Sequence, residues 1–265
     1  MKKYLVISCL SFSFFMAFPG CKKDPSSAPD LGYTYFPDEK GGYVIYNVDS
    51  LFYNTLNLNI ATHITPADTF RFQLKEKIES AYTDNEGRPA LRLERYVKYY
   101  NSSVPYSGMP WILRDVWSEI RTAKTAEKVE ENERFIKLAF PVKEDQQWNG
   151  NAQNAYDAET YTYEFYDLPR TPGGILFDSV LKVNHHDESS LVGWNYSSEM
   201  YARNAGLVYK RFIKVTSQPN PDWSTDHAHY PFGNDTLIAF YAKPILKRVF
   251  SGYQYTMTVT AYGKE

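Results

Sequence analysis

Apolar and polar side chains alternate with a period of two along much of this chain. Between Thr69 and Tyr82, Phe70, Phe72, Leu74, Ile78 and Tyr82 fall on one face, and Arg71, Gln73, Lys75, Lys77 and Glu79 on the other. That spacing predicts a strand with one face buried. Asp84-Asn85-Glu86-Gly87-Arg88-Pro89 then supplies a turn, with Gly87 free to take positive φ. Beyond it, Leu91, Leu93, Val97 and Tyr99 alternate with Arg92, Glu94 and Lys98. The two segments predict a long hairpin.

The pattern returns downstream. Across Trp111 to Arg121, Trp111, Leu113 and Trp117 take one side and Ile112, Val116 and Ile120 the other. Lys124 to Phe140 predicts a hairpin folded at Glu130-Glu131-Asn132-Glu133, with Ile136, Leu138 and Phe140 on one face of its second arm. Leu176 to Val183, Leu207 to Val215 and Tyr253 to Tyr262 predict further strands. Helical signals are few. Ser118 to Val129 has no good apolar stripe. Asp235 to Val249 holds Leu237, Ile238, Phe240, Tyr241, Ile245 and Leu246 near helical spacing, but Pro244 would stop a helix after Tyr241. A strand and a short helix fit that stretch equally.

Charges in mid-strand mean that one sheet face meets water, which antiparallel sheets tolerate. The expected fold is mainly β: roughly nine to twelve antiparallel strands in a strongly curved sheet, a half barrel or barrel-like sandwich with at most short helices. A membrane-spanning barrel is not expected, because Lys75, Lys77, Glu79, Arg92, Glu94 and Lys98 recur along whole faces that would meet lipid. The aromatic share of 17%, with 23 Tyr, suits strands as well. With 29 basic and 31 acidic residues, no positive footprint for nucleic acid exists.

The first thirty residues read differently. Lys2 and Lys3 precede an apolar run, Tyr4 to Phe18, broken only by Ser8, Ser11 and Ser13. The run is shorter than the ~20 residues of a spanning helix. It ends in Phe18-Pro19-Gly20-Cys21, followed by polar Lys22 to Asp30. This arrangement resembles a bacterial lipoprotein signal of the Bacteroidota type. The resemblance implies a leader over residues 1–20, a diacylglycerol thioether and acylated amine (palmitate-type chains) on Cys21, and a flexible tether over 21–31. It implies lipid anchoring at the outer membrane, on the periplasmic or the surface face. The other reading is an ordinary secretory leader with a free Cys21. Cys9 leaves with either leader, so residues 22–265 contain no cysteine, which excludes disulfides and thiol chemistry there. Residues 32–265 are expected to form a single β domain.

Met200-Tyr201-Ala202-Arg203-Asn204-Ala205-Gly206-Leu207-Val208-Tyr209-Lys210 is similar to a hairpin of exported half-barrel proteins related to the LolA/LolB lipoprotein carriers. The resemblance covers about ten residues, and implies an apolar, ligand-sized cavity. Asp49-Ser50-Leu51, Asp178-Ser179-Val180 and Asp235-Thr236-Leu237 resemble O-glycosylation acceptors of Bacteroidota, which implies Ser50, Ser179 and Thr236 as glycan acceptors. Asp-Ser and Asp-Thr also serve turns and strand edges.

Candidate chemistry is sparse. His227 and His229, beside Asp222 and Asp226, share a face in an extended chain and are weak metal candidates. His185, His186 and Asp187 form a second cluster. Both lie in polar stretches better read as loops, so no metal and no cofactor are expected. Ser179 and Lys182 match a serine–lysine hydrolase spacing, but on a strand i and i+3 point apart. No nucleophile elbow, phosphate loop or dinucleotide fingerprint occurs. Trp148, in the turn Gln146 to Asn151, is the expected exposed ligand contact. The function these features point to is a lipid-anchored, non-catalytic envelope module binding an apolar small molecule, a glycan or a partner protein. Two alternatives remain open: an envelope enzyme, either a metal-dependent hydrolase or a glycosidase, and a structural subunit of an outer-membrane complex.

Overall fold

The predicted hairpin at Gly87 is present, as strands β2 (Asp68–Thr83) and β3 (Pro89–Tyr99). A computed structural model describes residues 29–221 and 235–265; Leu31–Glu265 is one compact unit. Ahead of the hairpin runs β1 (Gly42–Tyr53). Behind it come β4 (Ile112–Arg121), β5 (Thr125–Glu130), β6 (Glu133–Ala139), β7 (Gln147–Asn149), β8 (Thr160–Arg170), β9 (Phe177–Ser189), β10 (Gly193–Ala202), β11 (Gly206–Thr216) and β12 (Ser251–Lys264). The stretch that fitted strand or helix is a helix, α1 (Asp235–Tyr241), followed by a short 3-10 turn beyond Pro244.

All twelve strands form one antiparallel sheet in the order β6-β5-β4-β3-β2-β1-β12-β11-β10-β9-β8-β7. Each strand pairs with its sequence neighbour, and β1 also pairs with β12, so the sheet wraps into a nearly closed barrel. The ring is more complete than the half barrel that the carrier resemblance implies. Only β6 and β7 lack a ladder, and specific bonds close that seam. Ile136 N–H donates to Gly150 O at 2.9 Å, and the Trp148 indole donates to Ile136 O at 2.9 Å. The Tyr163 hydroxyl bonds both backbone groups of Ala139, at 2.9 and 2.8 Å. Gly150 has no side chain because a Cβ there would overlap the Tyr161 ring.

Outward positions of β1 to β3 carry polar pairs: Arg71 with Asp49 at 3.1 Å, Gln73 with Asn47 at 3.0 Å, and Arg92 with Glu94 at 3.2 Å. A lipid-facing barrel needs an apolar band there, so this surface is built for water. Among the described residues no helix is long and apolar enough to cross a membrane.

Bulges decide which side chains enter the lumen. Ile78 pairs with Leu93 and Ser80 with Arg92, leaving Glu79 extra. That shift of phase turns Tyr82 out to solvent, against the expected continuous face. Ala126 pairs with Leu138 and Glu127 with Ile136, which leaves Lys137 extra. Ser197 pairs with His186 and Ser198 with Asn184, which leaves His185 extra. Lys137 and His185 are both buried.

The barrel has two mouths. At the first, β1 begins and β12 ends. The segment Tyr33–Phe36 crosses this mouth like a strap. The Tyr33 hydroxyl donates to Ala123 O in the β4–β5 turn at 3.0 Å, and Asn204 N–H in the β10–β11 turn donates to Thr34 O at 2.7 Å. Tyr35 and Phe36 pack into a core with Leu138, Tyr163, Leu181 and Tyr201. Burying Phe36 there stabilises by roughly 1.5–3 kcal/mol.

Candidate functional site

An ionic layer crosses the middle of the lumen. Glu76 on β2 accepts from Arg95 Nε on β3 and from Lys128 Nζ on β5, each at 2.9 Å. Lys128 also lies 3.1 Å from Glu119 on β4. Arg95 reaches Asp115 at 2.8 Å, and its guanidinium lies 3.4 Å over the Trp117 ring. Farther round, Glu199 on β10 takes Lys210 at 2.9 Å, Lys137 at 3.5 Å and the Tyr201 hydroxyl at 2.6 Å. Lys137 also reaches Glu130 at 2.8 Å. His185 stacks on Tyr161 at 3.9 Å, with Nδ1 3.2 Å from the Ser197 hydroxyl.

These charges sit out of water, and each ion costs several kcal/mol to desolvate before pairing offsets it. Their proton affinities record that balance. Burial alone would raise Glu76, but Lys128 and Arg95 hold it below the usual carboxylate range. Burial raises Glu119, and its share of Lys128 does not compensate. Glu199 resists burial through Lys137 and Lys210 and stays well below the usual range. Burial pushes His185 down to about 3 despite Glu199, so its ring is neutral near pH 7.

The layer divides the lumen into two cavities. The first, about 530 Å³, opens beside the strap at the first mouth. Glu76, Glu119 and Lys128 form its floor, and Phe36, Tyr46 and Tyr201 stand among its walls. Its rim carries Arg121, which pairs with Asp38 at 2.5 Å and donates to Phe36 O at 3.1 Å. The second cavity, about 730 Å³, opens at the other mouth and is lined by Arg71, Arg95, Arg114 and Trp117 among others. The apolar cavity implied by the carrier resemblance is therefore replaced by two chambers that share a charged floor.

The residues singled out in the sequence fall in scattered places. Cys21, His227 and His229 lie outside the described residues. Ser50 lines the second cavity. Ser179 is half-buried and its hydroxyl is engaged: it lies 2.7 Å from the Tyr35 hydroxyl, accepts from Arg203 Nε at 2.9 Å and donates to Asp167. Thr236 is exposed in α1. Trp148 is only half-exposed, and its ring packs on Tyr161 and Tyr163 at the seam. His186 turns to Glu159 at 3.4 Å and Glu188 at 3.3 Å, apart from the partners of His185. Among the described residues, no group of three or more His, Cys, Asp or Glu is placed to hold a metal ion. Lys182 pairs with Glu164 at 2.6 Å, not with Ser179.

Sequence reasoning missed the ionic layer. One signal was present: Glu76 stands between Leu74 and Ile78, and Arg95 between Leu93 and Val97, at the phase of the apolar positions. A charge in the inward phase of a strand marks a buried partner. Lys137 and His185 carried no such mark, because bulges place them.

No family model matches this chain. No curated protein matches it either. Among solved structures it is similar to a Bacteroides fragilis protein of YmcC-like fold whose name describes it as exported. The two are 8% identical, with a TM-score of 0.39, over 86% of this chain and 98% of the other. A likeness that remote carries no argument about this chain.

Proposed function

We propose that this protein is a lipid-anchored lipoprotein of the cell envelope whose barrel is a non-catalytic binding module, with its ligand site in the first cavity. The observation that carries this reading is the cavity itself. Its volume of about 530 Å³ is that of a small-molecule site, and aromatic walls stand over a polar floor. Rings such as Phe36 and Tyr46 offer flat apolar faces, while Glu119 offers a hydrogen-bond acceptor. That combination fits a sugar unit of a glycan better than an alkyl chain, which would meet charge at the floor.

Anchoring rests on the leader and Cys21. Leu31 O accepts from Val142 N–H at 3.1 Å, so the chain enters the barrel at the first mouth. The ten residue steps from Cys21 to Leu31 span at most about 35 Å.

One observation favours a second reading, a carboxylate enzyme. Glu76 and Glu119 both lie within 3.1 Å of Lys128 Nζ, yet their proton affinities are displaced in opposite directions. Such a pair is what acid–base hydrolysis of a glycoside uses. Screening the full chain against a sugar and oligosaccharide library by calorimetry, with turnover followed in the same samples, separates the two. Stoichiometric binding without product, weakened in Glu119→Gln, is the result expected of a binding module. Sustained product release abolished in Glu119→Gln would establish the enzyme instead. No binding and no product across the library would reject both.

A further inference from the structure

We infer that the ligand of the first cavity carries a protonated primary amine, as an amino sugar does, and that Glu119 receives it. The inference rests on the reading of that cavity as the binding site, and adds the charge of its occupant. Glu119 on β4 stands directly across from Lys128 on β5. Its side chain is only 10% exposed, and it lines the first cavity. Among the described residues Lys128 is the one group that reaches its carboxylate, 3.1 Å from Oε1. An ionised carboxylate can accept at about four sites, so most of that capacity is open to the cavity.

Lys128 is a shared partner, because it also donates to Glu76 at 2.9 Å. Glu76 has Arg95 as well, and Arg95 is shared in turn with Asp115 at 2.8 Å. The cation that balances this chain of pairs is Arg114, bound to Asp115 at 3.2 Å. It is 42% exposed and lines the second cavity, where water screens it. The end of the chain that faces the first cavity is therefore a carboxylate, Glu119. The proton affinities agree: burial raises Glu119 despite Lys128, while the two cations of Glu76 overcome its burial. An ammonium placed against Glu119 supplies the missing countercharge. The rim adds no net charge, since Arg121 pairs with Asp38 and Lys264 with Glu39.

The walls suit the same group. The hydroxyls of Tyr46 and Tyr201 are engaged elsewhere, with Leu207 O at 2.9 Å and Glu199 at 2.6 Å. What these residues and Phe36 offer the cavity is ring surface. A cation is attracted to the face of such a ring, most strongly where water is excluded. The same surface packs on the body of a sugar ring. A primary ammonium also donates hydrogen bonds to Glu119, which a quaternary one cannot. What fits is a ring-shaped body with a protonated amine directed at the floor.

Calorimetry on the full chain, expressed with its leader and purified from the membrane in a nonionic detergent, tests this assignment. The probes are glucosamine, N-acetylglucosamine, glucose and methylamine. Glucosamine should bind at least about tenfold more tightly than either neutral sugar, the worth of a hydrogen bond between charged groups. Glu119→Gln, which leaves Lys128 its pair with Glu76, should erase that preference. Glu119→Asp, which keeps the charge, should retain it. Unfolding midpoints check that both variants fold. A preference kept in Glu119→Gln, or lost equally in both variants, would overturn the role of the carboxylate. A neutral sugar binding as tightly as glucosamine would overturn the ammonium and leave the first cavity standing as a neutral-sugar site. No binding of any probe would remove the underlying reading of that cavity as well. Methylamine binding as tightly as glucosamine would overturn the ring.

Discussion

Glu76 and Lys128 meet in the centre of the barrel at 2.9 Å, 52 positions apart in the chain. Lys128 holds two carboxylates, Glu76 and Glu119, and no other cation reaches Glu119 among the described residues. Replacing it strands buried negative charge. Lys128→Met should therefore cost about 3–5 kcal/mol in urea unfolding. Adding Glu119→Gln should recover part of that loss, because one stranded charge is removed. Equal stability of wild type and Lys128→Met would show that the layer is not desolvated.

The pH dependence follows from the same groups, with opposing signs. Glu76 and Glu199 are depressed, so they stabilise above the ordinary carboxylate range, and that stability is lost as pH falls through their folded values. His185 is depressed from 6.5 to about 3, so the unfolded chain takes up its proton first, and stability falls as pH drops below about 6.5. Glu119 is raised, so its contribution is present below 4.5 and fades as pH rises through its folded value. Between pH 6.5 and 4.5 the His185 and Glu119 effects oppose each other. Across that window urea midpoints of wild type should therefore fall relative to those of His185→Gln, in which only the Glu119 effect remains. Parallel slopes would contradict the burial of a neutral His185.

The seam makes a local prediction. Trp148→Phe keeps a ring against Tyr163 but removes the donor to Ile136 O. It should cost about 1 kcal/mol and speed hydrogen exchange at the Ile136 and Gly150 amides more than at β1 and β12. Gly150→Ala should cost more, because the Tyr161 ring must move to admit a methyl group. Uniform exchange changes across the sheet would mean that β6 and β7 do not close the barrel.

How much of this was legible in the sequence depends on phase. The β2–β3 hairpin was readable because Phe72, Leu74 and Leu93 alternate with polar or charged neighbours on either side of the Gly87 turn. The β5–β6 turn was readable from Glu130 to Glu133. β1 and β8 were not singled out, since tyrosines fall in both phases, Tyr43 and Tyr46 in β1 and Tyr163 and Tyr166 in β8, and blur the alternation. The site was readable only where a charge broke an apolar register, as at Glu76 and Arg95. Glu119 and Lys128 follow from neither period nor composition; pairing across the barrel brings them to Glu76. Trp148 looked like an exposed ring because a turn was visible and the seam it seals was not.

The anchor makes a prediction that is independent of the barrel. Cys21→Ser should release the chain from the membrane fraction into the soluble fraction while leaving its unfolding midpoint unchanged. Retention in the membrane by the serine variant would remove the lipid from the account.

Native mass spectrometry of the full chain, released from detergent, tests the central claim most directly. A binding barrel predicts a non-covalent companion of roughly a few hundred daltons, the size the first cavity accepts, with its occupancy reduced in Glu119→Gln. A bare chain mass, unchanged after incubation with the neutral and amino sugars, would contradict it.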